Sequence, residues 1–119
     1  MTYVSGFVTP VANERREDYV ASARAAWELF REYGALELVE AWGDRVPPGN
    51  RTDFLRAVNI QDGETVVFSW IRWPDKATAD RCEAAMEEDD RFQALDMPFD
   101  GKRMIFGGFE PVFEATRRP

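Results

Sequence analysis

The sequence contains no histidine and a single cysteine, Cys82. The first absence excludes Ser-His-Asp and Cys-His catalysis and any histidine-ligated metal. The second excludes an internal disulfide and fits a reducing compartment. Positive charge is scarce: 15 Lys and Arg face 22 Asp and Glu, a formal net charge of −7. Nucleic acids and anionic membranes need clustered cations, so neither is expected as a partner. The one basic pair, Arg117-Arg118, reads as a frayed tail. No apolar run is long enough to span a bilayer, and no signal-peptide pattern opens the sequence. The expectation is a cytoplasmic protein without cofactor or metal.

What is present is an apolar, aromatic-rich chain of 119 residues, the size of one domain, here residues 1–119. Residues 3–11 read as a strand, with Tyr3 and Phe7 on one face and Val4 and Val8 on the other. Pro10 marks its end or an edge. Asn13 is a candidate N-cap for a helix running to about Tyr33. Its apolar stripe is Val20, Ala23, Trp27 and Phe30, flanked by Tyr19, Ala26 and Tyr33, and Gly34 follows as a C′ residue. Residues 35–46 read as a second strand. Pro47-Pro48-Gly49-Asn50 is a loop, and residues 52–60 read either as a short helical turn, capped by Thr52, that runs into an extended segment, the preferred reading, or as a strand of a hairpin turned at Asp62-Gly63. Residues 65–73 are the clearest strand: Val67, Ile71 and Trp73 face one way, Val66, Phe68 and Trp70 the other. Asp75 caps a helix to about Glu87 with Ala79, Cys82 and Met86 inward. A helical turn at 89–95 and a last strand at 103–113 complete the chain.

The order strand-helix-strand, strand-helix-strand is that of the α+β, ferredoxin-like split βαβ repeat: a four-stranded antiparallel sheet with helices on one face. The other face of such a sheet is ordinarily polar. Here the strands keep large apolar groups on both faces, and 103–113 is the extreme case, with Gly107-Gly108 in its middle. Leaving that face bare would make an apolar patch larger than soluble monomers show. Burying about 600 Å2 is worth on the order of 15 kcal/mol before association costs. A homodimer with facing sheets, forming a dimeric α+β barrel, is the expected solution. Trp73, Phe106 and Phe109 are the interface candidates.

The segments Met1-Thr2-Tyr3-Val4-Ser5-Gly6-Phe7-Val8, Ala41-Trp42-Gly43-Asp44, Thr52-Asp53-Phe54, Thr65-Val66-Val67-Phe68-Ser69-Trp70-Ile71 and Met97-Pro98-Phe99-Asp100-Gly101-Lys102-Arg103-Met104-Ile105-Phe106-Gly107-Gly108-Phe109-Glu110-Pro111 resemble the uncharacterised bacterial YbaA-like family. The likeness runs in order over nearly the whole chain. It implies membership of the dimeric α+β barrel superfamily, and it implies no activity, since that family is a domain of unknown function.

Chemistry has few candidate carriers. Trp42, Trp70 and Trp73 are candidate walls of a small-ligand cleft between helices and sheet, or plain core and dimer packing. Asp44 and Asp53 flank the Pro-Pro-Gly loop and are either a converging acid/base pair or turn and cap residues. Arg56 is placed to pair with them or to grip an anion. Glu40 lies on an otherwise apolar strand face beside Leu38 and Trp42, where a carboxylate needs a partner; Arg72 and Arg103 are the candidates. Gly107-Gly108 serve either close packing or ligand space. Cys82 reads as a small core residue, and Glu87-Glu88-Asp89-Asp90 as a solvated turn rather than a calcium loop. Two functions fit: a small-ligand binding protein, with or without cofactor-independent catalysis, and a non-enzymatic interaction module.

Overall fold

The structure, a computed structural model, describes residues 2–117. Four strands and two long helices follow in the expected order: β1 (Tyr3–Ala12), α1 (Arg16–Glu32), β2 (Glu37–Trp42), a short α2 (Phe54–Ala57), β3 (Glu64–Trp73), α3 (Lys76–Glu88), a short α4 (Asp90–Gln93) and β4 (Ile105–Phe109). They form one antiparallel sheet of order β2-β3-β1-β4, the ferredoxin-like arrangement. Arg118, half of the basic pair, lies outside the described residues.

Several local details differ from the sequence reading. Pro10 sits well inside β1, paired with Val66. It is tolerated there because the pairing of β1 with β4 ends at Val8, which leaves a local edge. Asn13 opens a 3₁₀ turn instead of capping α1; its side chain takes the Thr65 hydroxyl hydrogen bond, and its backbone N–H donates to Gly63 O at 2.8 Å. Gly34, with φ 104°, ends α1 as expected. Strands β2 and β4 are shorter than read. Asp53, not Thr52, caps α2, and the chain then turns through Asn59 (φ 49°) without an extended segment.

Strand register separates the two faces. Val4, Gly6 and Val8 of β1 align with Arg72, Trp70 and Phe68 of β3, with Phe109, Gly107 and Ile105 of β4, and through β3 with Glu37, Val39 and Ala41 of β2. The alternate residues form the other face. On that second face Ile71 and Trp73 pack with Leu29 of α1, Ala79 and Cys82 of α3 and Phe92 of α4. Val11 and Val67 pack with Tyr19, Trp42 and Phe99. The first face carries neither long helix. Only α2 and its flanks touch it, at one end, where Val58, Leu55 and Ile60 cover Val8 and Val66.

This parity corrects two interface expectations: Phe106, paired with Phe7, stands off the open first face, and Trp73 is buried. Trp73 stands an odd number of residues from Trp70, so it points to the helices, and it is 2% exposed. Its ring meets Phe30 edge-on, and its Nε1 donates to Ser5 Oγ at 3.0 Å. It is a core residue and presents nothing to a partner subunit.

Candidate functional site

The cleft candidates do not share one cleft. Trp70 belongs to the open face, Trp42 and Glu40 to the face beneath α1, and Asp44, Asp53 and Arg56 to the loop before β3. The expected cleft between helices and sheet is filled by Leu29, Ile71, Trp73 and Phe92. The hollow lies on the opposite side.

The open face holds a concavity of about 570 Å3, lined by residues of β1, β3 and β4. Its floor is the glycine pair Gly6 and Gly107, directly opposed across two strands. A Cβ at Gly6 would come within 3.3 Å of the Phe109 ring, and one at Gly107 within 3.2 Å. The two glycines thus let that ring lie close to the sheet. Gly108 faces the other way and leaves room for the Tyr3 ring, whose hydroxyl would collide with a Cβ there. Close packing of aromatic rings, rather than empty space, is what both glycines provide.

The walls are aromatic. Phe68 contacts Trp70 at 5.7 Å between centroids and Phe54 at 5.9 Å. Phe68, Ile105 and Phe109 are 46, 46 and 59% exposed, far from the state of core residues. Phe106 is exposed as well, but register puts it on the helix-bearing side of edge strand β4, stacked on Phe7. Polar groups on the open face stand at its two ends, with Glu64 and Arg103 paired beyond Val66 at one of them. Trp70 Nε1 donates to Glu37 Oε1 at 2.8 Å, and Arg72 Nη2 lies 3.7 Å from Glu37 Oε2. Neither Glu37 nor the Glu37–Arg72 pair was singled out from sequence. The available signal was the i to i+2 phase that Glu37 shares with Val39 and Ala41.

Beneath α1 lies a polar network. Glu40 Oε1 accepts from the Tyr19 hydroxyl and from Ser69 Oγ, each at 2.6 Å. This corrects the expected arginine partner: Arg72 turns to Glu37, and Arg103 is held by Glu64 and Asp100. Glu40 therefore has hydroxyl donors and no cation within salt-bridge range among the described residues. Arg16 instead lies over the Trp42 ring at 5.2 Å. Burial pushes the Tyr19 phenol pKa well above the ordinary tyrosine value, and the Glu40 charge beside it adds to the rise. A phenol held that high keeps its proton at neutral pH and serves as a donor, not as an acid catalyst.

The loop aspartates do not converge on shared chemistry. Asp53 accepts from Arg56 N at 2.6 Å and Gly49 N at 3.0 Å, and Arg56 donates to Gly49 O at 2.8 Å. Those backbone N–H groups, Arg56 first and then Gly49, hold the Asp53 carboxyl below its usual range. It is a helix cap fixed as an anion, and Arg56 is engaged in the same clamp. Asp44 is exposed, with no hydrogen bond or ion pair to Asp53 among the described residues. Cys82 is 1% exposed, and burial pushes its thiol up to about 11, which suits a core residue. Asp89, in the acidic run, caps α4 and holds Arg91 and the Tyr33 hydroxyl. Among the described residues no His/Cys/Asp/Glu group has the arrangement of a metal site.

Comparison with known proteins agrees with this architecture. Residues 2–101 match the family described as a protein of unknown function, DUF1428. The uncharacterised protein YbaA of Escherichia coli K12 is 46% identical over 116 residues, covering 96% of this chain and 99% of that one; the Shigella flexneri protein of the same name gives the same figures. Two solved structures described as dimeric ferredoxin-like proteins, both from uncultured marine organisms, share the fold. One has a TM-score of 0.60 at 11% identity, over 98% of this chain and all of the other. The second has a TM-score of 0.56 at 13% identity, over 97% of this chain and all of the other.

Proposed function

The chain belongs to the DUF1428 family, whose activity is unassigned, and from that premise we propose that it acts as a homodimer that binds an apolar small molecule between facing sheets. The single observation behind this reading is the uncovered concave face around Gly6 and Gly107, walled by Trp70, Phe68 and Phe109. Exposed apolar area of that extent on one face is the usual mark of an interaction surface. A second copy is the self-complementary occupant, because two-fold assembly places the same patch on both sides. The dimeric assembly named for the two marine proteins of like fold lends support.

Sheets packed face to face stand about 10 Å apart, which core-sized side chains fill. The Phe109 ring lies against the glycine floor, and the part of the concavity that it leaves open is the space for a ligand. Its lining is almost wholly carbon, so an apolar or aromatic molecule fits its chemistry. Among the described residues no acid, base or nucleophile lines it; the ionisable pairs Glu37–Arg72 and Glu64–Arg103 stand at the ends of the face. Binding is therefore favoured over catalysis.

A second reading, a non-enzymatic interaction module that uses the same face without ligand, is favoured by one observation: the space between helices and sheet is filled. Native mass spectrometry of the purified protein, beside sedimentation equilibrium, separates the readings. The expected result is a dimer carrying a small co-purified molecule. A monomer at micromolar concentration would sink the assembly. An empty dimer whose melting temperature no apolar aromatic compound raises would sink the ligand and leave the module.

A further inference from the structure

Past β4 the chain continues as Glu110-Pro111-Val112-Phe113-Glu114, and here two of the most exposed apolar side chains of the protein stand side by side. Val112 is 99% exposed and Phe113 is 83% exposed. A lone exposed apolar residue is ordinary. This pair is not lone, because it prolongs the apolar open face: Pro111 lines the same concavity as Phe109 and Ile105.

The segment is also held at both ends. On one side it leaves β4 at Phe109, paired with Val4. On the other, the Thr2 hydroxyl donates to the Glu114 carboxylate at 2.6 Å. Pro111 fixes one backbone torsion between these anchors. The result is a short bowed knuckle that presents its apolar pair outward, with part of the ordering entropy of docking already spent.

We infer that Val112 and Phe113 of each copy seat on the open face of the other copy, so that the partner supplies a wall of the hollow over Gly6 and Gly107. The inference rests on the homodimer reading above. Reach agrees with it. Five steps of about 3.3 Å join the anchors at Phe109 and Glu114, roughly 16 Å of chain, so a bow held at both ends rises by up to about half of that, and the Phe113 ring extends it across the roughly 10 Å between stacked sheets. Symmetry agrees as well: in a two-fold dimer the knuckle and the receiving face occur on both copies, so one contact is made twice. Each hollow is then incomplete in a single copy.

The test is a double variant, Val112→Ser with Phe113→Ser, followed by sedimentation velocity over a dilution series from nanomolar to micromolar. Both side chains are solvated in the single copy, so the helical circular dichroism and the unfolding midpoint measured below the dimer dissociation constant should not move. The dimer dissociation constant should rise at least about tenfold. Isotope-filtered NOE spectra of a mixed labelled and unlabelled wild-type sample should show the Phe113 ring near Val4, Val8 or Ile105 methyl groups of the other chain. An unchanged dissociation constant with no cross-chain contact to Phe113 overturns the inference and leaves the homodimer standing. A wild-type protein that stays monomeric throughout overturns both.

Discussion

The two faces of the one sheet obey the same period of two and both carry large apolar side chains, yet they end in opposite states. On the face beneath α1 and α3, Ile71 and Trp73 are each 2% exposed, and the buried hydroxyls of Thr9, Ser69 and Tyr19 sit in one network with Glu40. On the other, Phe68, Ile105 and Phe109 remain about half exposed, and ionisable groups stand only at its ends, Glu37 with Arg72 at one and Glu64 with Arg103 at the other. The difference comes from cover, not from composition. A strand side chain is core or interface according to which layer the connections place above it. Both long connections run over one face, and the loop before β3 reaches only the end of the other.

The largest effect that can break this contrast is on the covered face. Trp73→Ala removes a ring that packs on Phe30 and strips Ser5 of its indole donor. Denaturant unfolding should show a loss of about 3–5 kcal/mol. A loss under 1 kcal/mol would mean that the helix layer does not depend on this residue. The open face should answer differently. Phe68→Asp puts a charge where register centres the apolar patch. Its expected result is a dimer dissociation constant raised on the order of a hundredfold by sedimentation, with the protomer's unfolding free energy changed by less than about 1 kcal/mol, as for other exposed sites. An intact dimer would erase the functional distinction between the faces.

Much of this contrast was legible in the sequence, because it rests on alternation. The order of elements, the faces of β1 and β3, the Gly34 stop and the Asp75 cap follow from local chemistry. What was not legible depended on contacts distant along the chain. The Glu40 carboxylate was expected beside an arginine, but its donors come from Tyr19, 21 residues before it, and Ser69, 29 residues after it. Trp73 was assigned to the interface although its own phase with Ile71 placed it inside. Asp44 and Asp53 were near each other in sequence, but the cap geometry of α2 drew Asp53 to the backbone. The cleft candidates scattered because a list of aromatic and charged residues carries no information on which layer covers them.

A smaller effect concerns β4, the edge that both faces share. Its own side chains are mostly exposed, so burial alone does little to fix its entry. Arg103 does more: it meets Glu64 twice at 2.7 Å, Asp100 at 2.9 Å and Asn59 O at 3.1 Å. The Arg103 hydrogen bonds hold the Glu64 and Asp100 carboxyls below their usual values. A carboxylate with a depressed folded pKa stabilises the fold above its unfolded pKa, about 4 for these groups, and that stabilisation is lost as pH falls through the folded value. Unfolding free energy should therefore decline below about pH 4.5. In Arg103→Gln the decline should be shallower and the stability at pH 7 lower. Parallel pH profiles for the two proteins would show that the clamp adds nothing.

The smallest expected effect sharpens the contrast most, because it touches charge on the covered face without touching its packing. Glu40→Gln keeps an acceptor oxygen for Tyr19 and Ser69 and removes the negative charge. A hydrogen bond to a charged group is worth more than one to a neutral group, so a loss of about 1 kcal/mol follows. The Tyr19 phenol should then titrate at lower pH in an ultraviolet absorbance titration, since the neighbouring charge no longer opposes its ionisation. It should stay above the ordinary tyrosine value, because burial is the larger cause and remains. If the phenol instead returned fully to the ordinary value, Tyr19 would be solvated and the face beneath α1 would not be closed. If the substitution weakened the dimer as Phe68→Asp is expected to, the two faces would be coupled through β2 and β3. Unaltered dimerisation beside a lowered Tyr19 titration would mean that the covered face keeps its polar groups for its own closure and leaves association to the other.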